Sequence, residues 1–401
     1  MSFTIPIISG LIGGFDIFGS SAFGKKNYRL LGLYLHRISL ISYLLISIFV
    51  TFHYFFALDI IGLLKKDKII MNNIAKYLHI FLINSILSVQ LGLNFRYLSV
   101  IEKSHINLIF NLITLSLHSL WCYILIMRSN LGIIGIGLSS TISLSVNVIL
   151  STFYIYIIKP LPESIFMYCR QSFYGWWSIL KISIPSAFIL CAEIWAWEIL
   201  AVMASSLTKE DFTLNIFTVN IALNTGVITT GFSVALAIVV GREFGKGNIK
   251  SSQNYFKIFA FMSISLNFLV AFLLFFFRKN IFKILSDETK YSEKSEKILM
   301  LLSIYLIFHL VQNLLTSFFR GIGKLLYSTI ITFSNFYIFQ VGVGFILTKI
   351  YDFEIYGIWL AILISSVTCS FINLIVYLNL DLEKELYITQ KRLSNDNKIA
   401  N

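Results

Sequence analysis

Charge is what this 401-residue chain has least of. Asp, Glu, Lys and Arg together make up 13% of it, about half the ~25% of a soluble domain, which excludes a chain whose surface is solvated all round. Cysteine is scarce as well. Cys122, Cys169, Cys191 and Cys369 lie far apart, so neither a disulfide framework nor a metal set is expected, and the four thiols should pack as small hydrophobes. No short apolar core behind a basic stub marks a cleavable leader, since Met1 runs straight into a spanning-length segment. No nucleophile motif or phosphate-cradling glycine loop is found that would make an enzyme.

Apolar residues fill the space that charge leaves. They make up 57% of the chain, with 37 Phe and 20 Tyr. Apolar runs long enough to cross ~30 Å of hydrocarbon as helices recur near 3–22, 38–62, 77–95, 106–127, 132–158, 179–206, 213–240, 254–277, 298–319, 326–348 and 357–380. The expected fold class is therefore an all-α polytopic membrane protein with eleven transmembrane helices. Its net charge of +12 sits in the connections, where Lys and Arg set topology, so no nucleic-acid partner is expected. With the stretch 24–37 inside, the alternate connections hold most of the Lys and Arg and the polar tail 381–401 is cytoplasmic. The mixed-charge stretch 278–297 reads as a solvated or interfacial helix without chemistry.

A repeat organises these helices. FGKKN at 23–27 returns as FGKGN at 244–248, and with it Gly10 matches Gly231 and Ile17 matches Ile238. Further on, Phe95 and Arg96 match Phe319 and Arg320, and Gly135, Ile136 and Leu138 match Gly357, Ile358 and Leu360. Matches in one order at nearly constant offset imply two pseudo-symmetric bundles in parallel repeat: 1–158 and 179–380, joined by a linker at 159–178. The helix at 179–206 has no counterpart in the first half. Twelve helices are thus expected of the full design, the first being absent here, and a gene model that starts late is the expected reason.

Three stretches resemble one known family. GFSVALAIVVGREFGKGN (231–248) resembles the helix-and-loop signature of the multidrug and toxic compound extrusion (MATE) transporters. IPSAFILCAEIWAWEIL (184–200) looks like the family's seventh helix in its eukaryotic branch, and FDIFGSSAFGKKNYRLLGLYLHR (15–37) like the end of its second. Val239 stands where the signature usually has Arg, and Lys246 where it has a small residue. The resemblance implies multidrug efflux by a secondary active antiporter: small organic, mainly cationic solutes leave in exchange for H+ or Na+ as two bundles rock around a central cavity. It implies no other cofactor, a monomer, and a plasma or vacuole-like membrane.

The chemistry is sought where charge is costly. A carboxylate near the bilayer centre costs ~2.5–3.5 kcal/mol on insertion scales, yet Glu193 and Glu198 share one apolar helix, ~140° apart around it. A carboxyl there can hold a cationic substrate in one state and a proton in the next, because burial disfavours the charged form that nothing neutralises. Trp195 and Trp197 lie between them and suit flat organic cations. His309, Gln312 and Asn313 share a face of a second-half helix. The resemblance implies a His followed three residues later by Glu in that helix; Gln312 replaces this acid, removing one anionic site. Asp16 occupies a position that is often acidic in the family and is expected to pair with Lys25, Lys26 or a polar neighbour. Gln90 with Asn94, and Asn220 with Asn224, are i, i+4 pairs that read first as bonds between helices and second as cavity lining. Pro185 is expected to bend its helix. A lipid-linked sugar flippase, a membrane-embedded enzyme using His309, and a non-transporting receptor or scaffold stay open alternatives. The flippase is disfavoured because Lys and Arg are confined to helix ends.

Overall fold

The computed structural model describes residues 4–62, 68–285 and 292–400, which among the described residues form helices and turns without strands. Among the described residues eleven helices are long and apolar enough to cross a membrane. In chain order they are α1 Thr4–Gly24, α2 Tyr28–Gly62, α3 Lys68–Val100, α4 Ser104–Arg128, α5 Gly132–Ile158, α6 Trp176–Ser205, α7 Lys209–Lys246, α8 Ile249–Leu285, α9 Ser292–Ile322, α10 Leu325–Ile350 and α11 Glu354–Leu378. A polar helix, α12 (Leu382–Ala400), takes up most of the expected tail.

Most helices outrun the apolar stretches that announce them. Apolar length reports only the hydrocarbon thickness, whereas Lys, Arg and Glu are good helix formers and extend the turns beyond it. The expected loop 24–37 is therefore mostly α2, and only residues 25–27 connect. The stretch 278–297 likewise divides: 278–285 continues α8, 292–297 begins α9, and 286–291 lie outside the described residues. The α6 helix runs without interruption through Pro185, whose carbonyl accepts a bond from the Thr329 hydroxyl at 3.2 Å.

The repeated pentapeptides form the same turn. Lys26 N–H donates to the Phe23 carbonyl and Asn27 N–H to that of Ala22, each at 3.0 Å. Later in the chain Gly247 N–H donates to Phe244 (3.1 Å) and Asn248 N–H to Glu243 (2.9 Å). Both are Schellman closures with a left-handed residue, Lys26 at φ 58° and Gly247 at φ 84°. Each Asn then starts the next helix: Asn27 Oδ1 accepts from Leu30 N–H at 3.1 Å, and Asn248 Oδ1 from Ser251 N–H at 3.0 Å. Because a left-handed turn costs an L residue about 1 kcal/mol or more, Lys26→Gly is expected to raise the thermal midpoint of the purified protein. A lowered midpoint would show that the Lys26 side chain matters more than its φ.

Inter-residue contacts divide the chain into two units, one running through Ser183 and taking in the last residues from Ser394, the other Ile184–Leu393. In the first, α1 is shielded almost all round, with Phe15, Ile17, Phe18 and Ala22 fully buried. The linker 159–178 folds onto this unit. Its Ser164 hydroxyl meets Tyr97 at 2.6 Å, and the Gln171 carbonyl accepts from the guanidinium of Arg37, which is buried ten residues into α2. Arg37 thus departs from the expected confinement of cations to helix ends. Also here, Asp396 accepts from Tyr34 at 2.6 Å and Asn397 from Asn27 at 2.7 Å.

In the second unit, α6, α7, α9 and α11 enclose a core around Leu200, Leu214, Leu302, Leu306 and Trp359. A second core joins Leu236, Val240 and Phe244 of α7 to Phe318 and Phe319 of α9. Gln390 caps the last carbonyls of α7, donating to Phe244 at 2.8 Å and Gly245 at 3.0 Å. Phe261, Phe268, Phe272 and Phe276 stand exposed along α8, as a lipid-facing side requires. The repeat extends to packing. A Cβ on Gly135 would stand 2.7 Å from the Leu125 carbonyl oxygen, and one on Gly357 2.9 Å from the Thr348 methyl, so each unit uses its matched glycine to seat one helix against its predecessor. Gly231 serves no such end, since nothing lies within 4 Å of its missing Cβ.

Candidate functional site

The second unit brings Glu193 of α6 to His309 of α9. A carboxylate oxygen lies 3.5 Å from His309 Nε2, with the side chains 29% and 11% exposed. Ala192 and Ala196 on either side of Glu193 are buried against Phe336, which seats this part of α6 among its neighbours and fixes the aim of the carboxyl. The His309 ring stacks on Tyr305, centroids 5.0 Å apart at 28°. The Asn313 amide lies 3.0 Å from Nε2 and also donates to the His309 carbonyl at 3.0 Å. Nδ1 of His309 is buried without a hydrogen-bond partner. An imidazole in such a setting can carry its proton on either nitrogen. With the proton on Nε2 it faces Glu193; with it on Nδ1, Nε2 accepts from Asn313. The arrangement sets one carboxyl and one imidazole side by side.

The remaining second-unit candidates divide by position. Gln312 is buried beside His309 on α9. Trp197 packs into the core, 6.3 Å from Tyr305 and 6.1 Å from Trp359, and Trp195 is half-buried. Glu198 is exposed, on another side of α6 from Glu193. Asn220 and Asn224 are exposed, and their amides donate to Ile216 and Asn220 carbonyls of their own helix, both at 2.8 Å. They bond within α7 rather than between helices, because an exposed amide one turn from a carbonyl finds it first.

In the first unit Gln90 and Asn94 tie three helices together. Tyr43 of α2 donates to Gln90, Gln90 to Asn94 at 2.8 Å, and Asn94 to Ser151 and Thr152 of α5 at 2.9 Å. Asp16 is wholly buried and pairs with Arg96 of α3. This replaces the expected partners Lys25 and Lys26, which lie at the exit turn two or more helical turns away. Arg96 also borders a cavity of about 110 Å³ lined mainly by aliphatic side chains, with Ser9, Ser85 and Ser88 among them.

Two polar stripes went unread. Asn107, Asn111, Thr114 and His118 follow one face of α4, and Ser140, Ser143, Asn147 and Ser151 one face of α5. Their i, i+3, i+4 spacing in otherwise apolar runs was the available signal. The two faces meet, with Asn147 donating to Asn111 Oδ1 at 3.0 Å and His118 Nδ1 lying 3.0 Å from the Ser143 hydroxyl. Among the described residues no group of three or more His, Cys, Asp or Glu could hold a metal, and all four cysteines are free.

The family model described as MatE matches residues 1–124 and 185–346. Protein DETOXIFICATION 20 of Arabidopsis thaliana is 24% identical over 378 residues, which cover 90% of this chain and 74% of that protein. DETOXIFICATION 39 of the same plant is 25% identical, over 96% and 76%. In structure, the chain matches the crystal structure of the eukaryotic MATE transporter AtDTX14 with a TM-score of 0.88, 98% of this chain on 88% of that one, at 19% identity. It matches the Vibrio cholerae MATE transporter VcmN in its bent form with a TM-score of 0.82, over 97% and 86%, at 15% identity. At such identities the structural likeness is one of fold.

Proposed function

The chain belongs to the MatE family of membrane transporters, and from that premise we propose that it is an antiporter exporting small organic solutes, cations by preference, in exchange for H+ or Na+. It acts as a monomer in a plasma or vacuole-like membrane. The observation that supports this reading is the 3.5 Å approach of Glu193 to His309. A cation and a proton compete there for one carboxyl: when an organic cation lies against Glu193 the proton leaves, and when the proton returns the cation is released. Coupling follows if each ligand favours a different conformation. A nitrogen base beside the carboxyl favours H+ over Na+, since hard cations take oxygen ligands. Gln312, neutral where the resemblance implies Glu, leaves this site a single acid.

The test is uptake of a fluorescent organic cation into proteoliposomes under an imposed pH gradient or Na+ gradient. Uptake is expected to follow the pH gradient and to be absent with Na+ alone. A folded protein that moves no cation under either gradient overturns the antiport reading.

A further inference from the structure

Away from Glu193 and its partners, the second unit holds a groove of about 350 Å³ where the start of α10, the end of α11 and the start of α12 come together. It lies at the edge of the apolar spans, since α11 ends at Leu378 and α10 begins at Leu325. Lys324, Asp381, Lys384 and Glu385 line it together with the aliphatic side chains of Ile375, Val376 and Leu380. We infer that the groove is a binding site for a zwitterionic phospholipid with a primary ammonium, phosphatidylethanolamine, whose headgroup sits among the charges and whose acyl chains run along α10 and α11.

Depth decides that the occupant is a lipid. Beyond the groove α10 continues with Leu326 and Ile330 exposed, and α11 approaches it with Leu374, Ile375 and Leu378 exposed, a surface that belongs against lipid tails as apolar as itself. Charges at the ends of such spans stand at headgroup level. The α12 helix leaves this point with Lys384, Tyr387, Ile388 and Lys391 exposed at i, i+3, i+4 and i+7, the mixed face of a helix that lies in the interface. A water-soluble ligand would leave both the aliphatic wall and this face unmatched. Charge decides which lipid. Lys324 is already matched: it pairs with Glu385, and its ammonium lies 5.2 Å over the Tyr327 ring. That leaves Lys384 and Asp381, both exposed. One oxygen of Asp381 caps α12 by accepting from Lys384 N–H at 3.1 Å, yet among the described residues no acid forms an ion pair with the Lys384 ammonium and no cation forms one with the Asp381 carboxylate. One cation and one anion in a single groove complement the phosphate and the ammonium of one headgroup. A headgroup with net negative charge would instead face the Asp381 carboxylate with nothing to offset it. The primary ammonium is favoured over a trimethylated one because it can donate hydrogen bonds. Its acceptors are the second Asp381 oxygen and Asn379 Oδ1, left open because the Asn379 amide N–H turns to the Ile375 carbonyl at 2.9 Å.

The experiment is native mass spectrometry of the full chain in detergent, titrated in turn with dioleoyl phosphatidylethanolamine, phosphatidylcholine and phosphatidylglycerol, with lipid adducts read at each concentration. Because it needs no substrate and no gradient, its failure leaves the antiport reading standing. Phosphatidylethanolamine is expected to form its first adduct at about a tenth of the concentration that phosphatidylcholine requires. Lys384→Gln and Asp381→Asn test the placement, since each removes one charge from an exposed side chain and asparagine keeps the cap of α12. Each is expected to weaken the phosphatidylethanolamine adduct about tenfold. Equal binding of phosphatidylethanolamine and phosphatidylcholine by the wild type overturns the inference, as does unchanged phosphatidylethanolamine binding in either variant. Tighter binding of phosphatidylglycerol than of phosphatidylethanolamine would overturn the zwitterionic assignment and make the groove a site for anionic lipid.

Discussion

Replacing Glu193 by glutamine should abolish gradient-driven cation uptake, leaving at most about a tenth of the wild-type rate. Glutamine keeps the shape and one hydrogen-bonding oxygen of the side chain, so the packing of Ala192 and Ala196 against Phe336 is preserved and only the charge goes. An elementary charge a few ångströms from a partly shielded partner is worth a few kcal/mol, even after allowance for the 29% exposure of this carboxyl, and each 1.4 kcal/mol is about tenfold in binding. His309→Gln divides the role further. Glutamine can still bond the Asn313 amide but cannot take a proton near neutral pH, so transport should continue at a reduced rate with a flattened pH profile. Proteoliposome uptake across pH 5 to 8, on protein matched for thermal stability, reads both variants. Wild-type rates in Glu193→Gln would remove Glu193 from the mechanism, and an unaltered pH profile in His309→Gln would remove the imidazole.

What the sequence disclosed about this site follows from what apolar composition makes conspicuous. In α6 and α9 an acid and an imidazole stand out against long apolar runs, and both were identified without knowing that they meet. Their meeting was not legible, because sequence gives a residue's angle around its own helix and says nothing of the neighbour it faces. The same limit misdirected Asp16: the nearest cations along the chain are Lys25 and Lys26, whereas the nearest in space is Arg96, from a helix two further on. Asn220 and Asn224 have the spacing of Gln90 and Asn94 but not their surroundings, so one pair bonds its own helix and the other joins three. The polar stripes of α4 and α5 were hidden for another reason. Ser, Thr and Asn interrupt an apolar run less than a charge does, so a search for costly residues passes over neutral ones. The repeat was the most legible feature, since its turn chemistry is local: a left-handed residue followed by a capping Asn needs no distant partner to act the same way twice.

Arg96→Met should destabilise the protein by about 3–5 kcal/mol, the usual effect of removing one member of a buried ion pair, although the part of Arg96 that borders the small cavity places the expectation at the lower end. Asp16 has no exposed surface, so loss of its cation leaves a carboxylate to be carried in an apolar setting or neutralised at a cost. The double variant Asp16→Leu with Arg96→Met should regain most of the loss, because two apolar side chains of similar volume leave neither charge behind. Thermal unfolding of the wild type, both single variants and the double variant closes the cycle. A double variant as unstable as Arg96→Met would show that the pair itself is not what the fold depends on. The repeat sharpens this expectation. Arg96 matches Arg320 of α9, but the residue 221 positions after Asp16 is Ala237, fully buried in α7. The pair therefore belongs to the first unit alone, where it ties α3 to the helix whose Phe15 and Phe18 are wholly enclosed. A helix so thoroughly surrounded has little lipid-facing side on which to place a carboxylate, and the cation that α3 brings helps to offset the charge of Asp16 there.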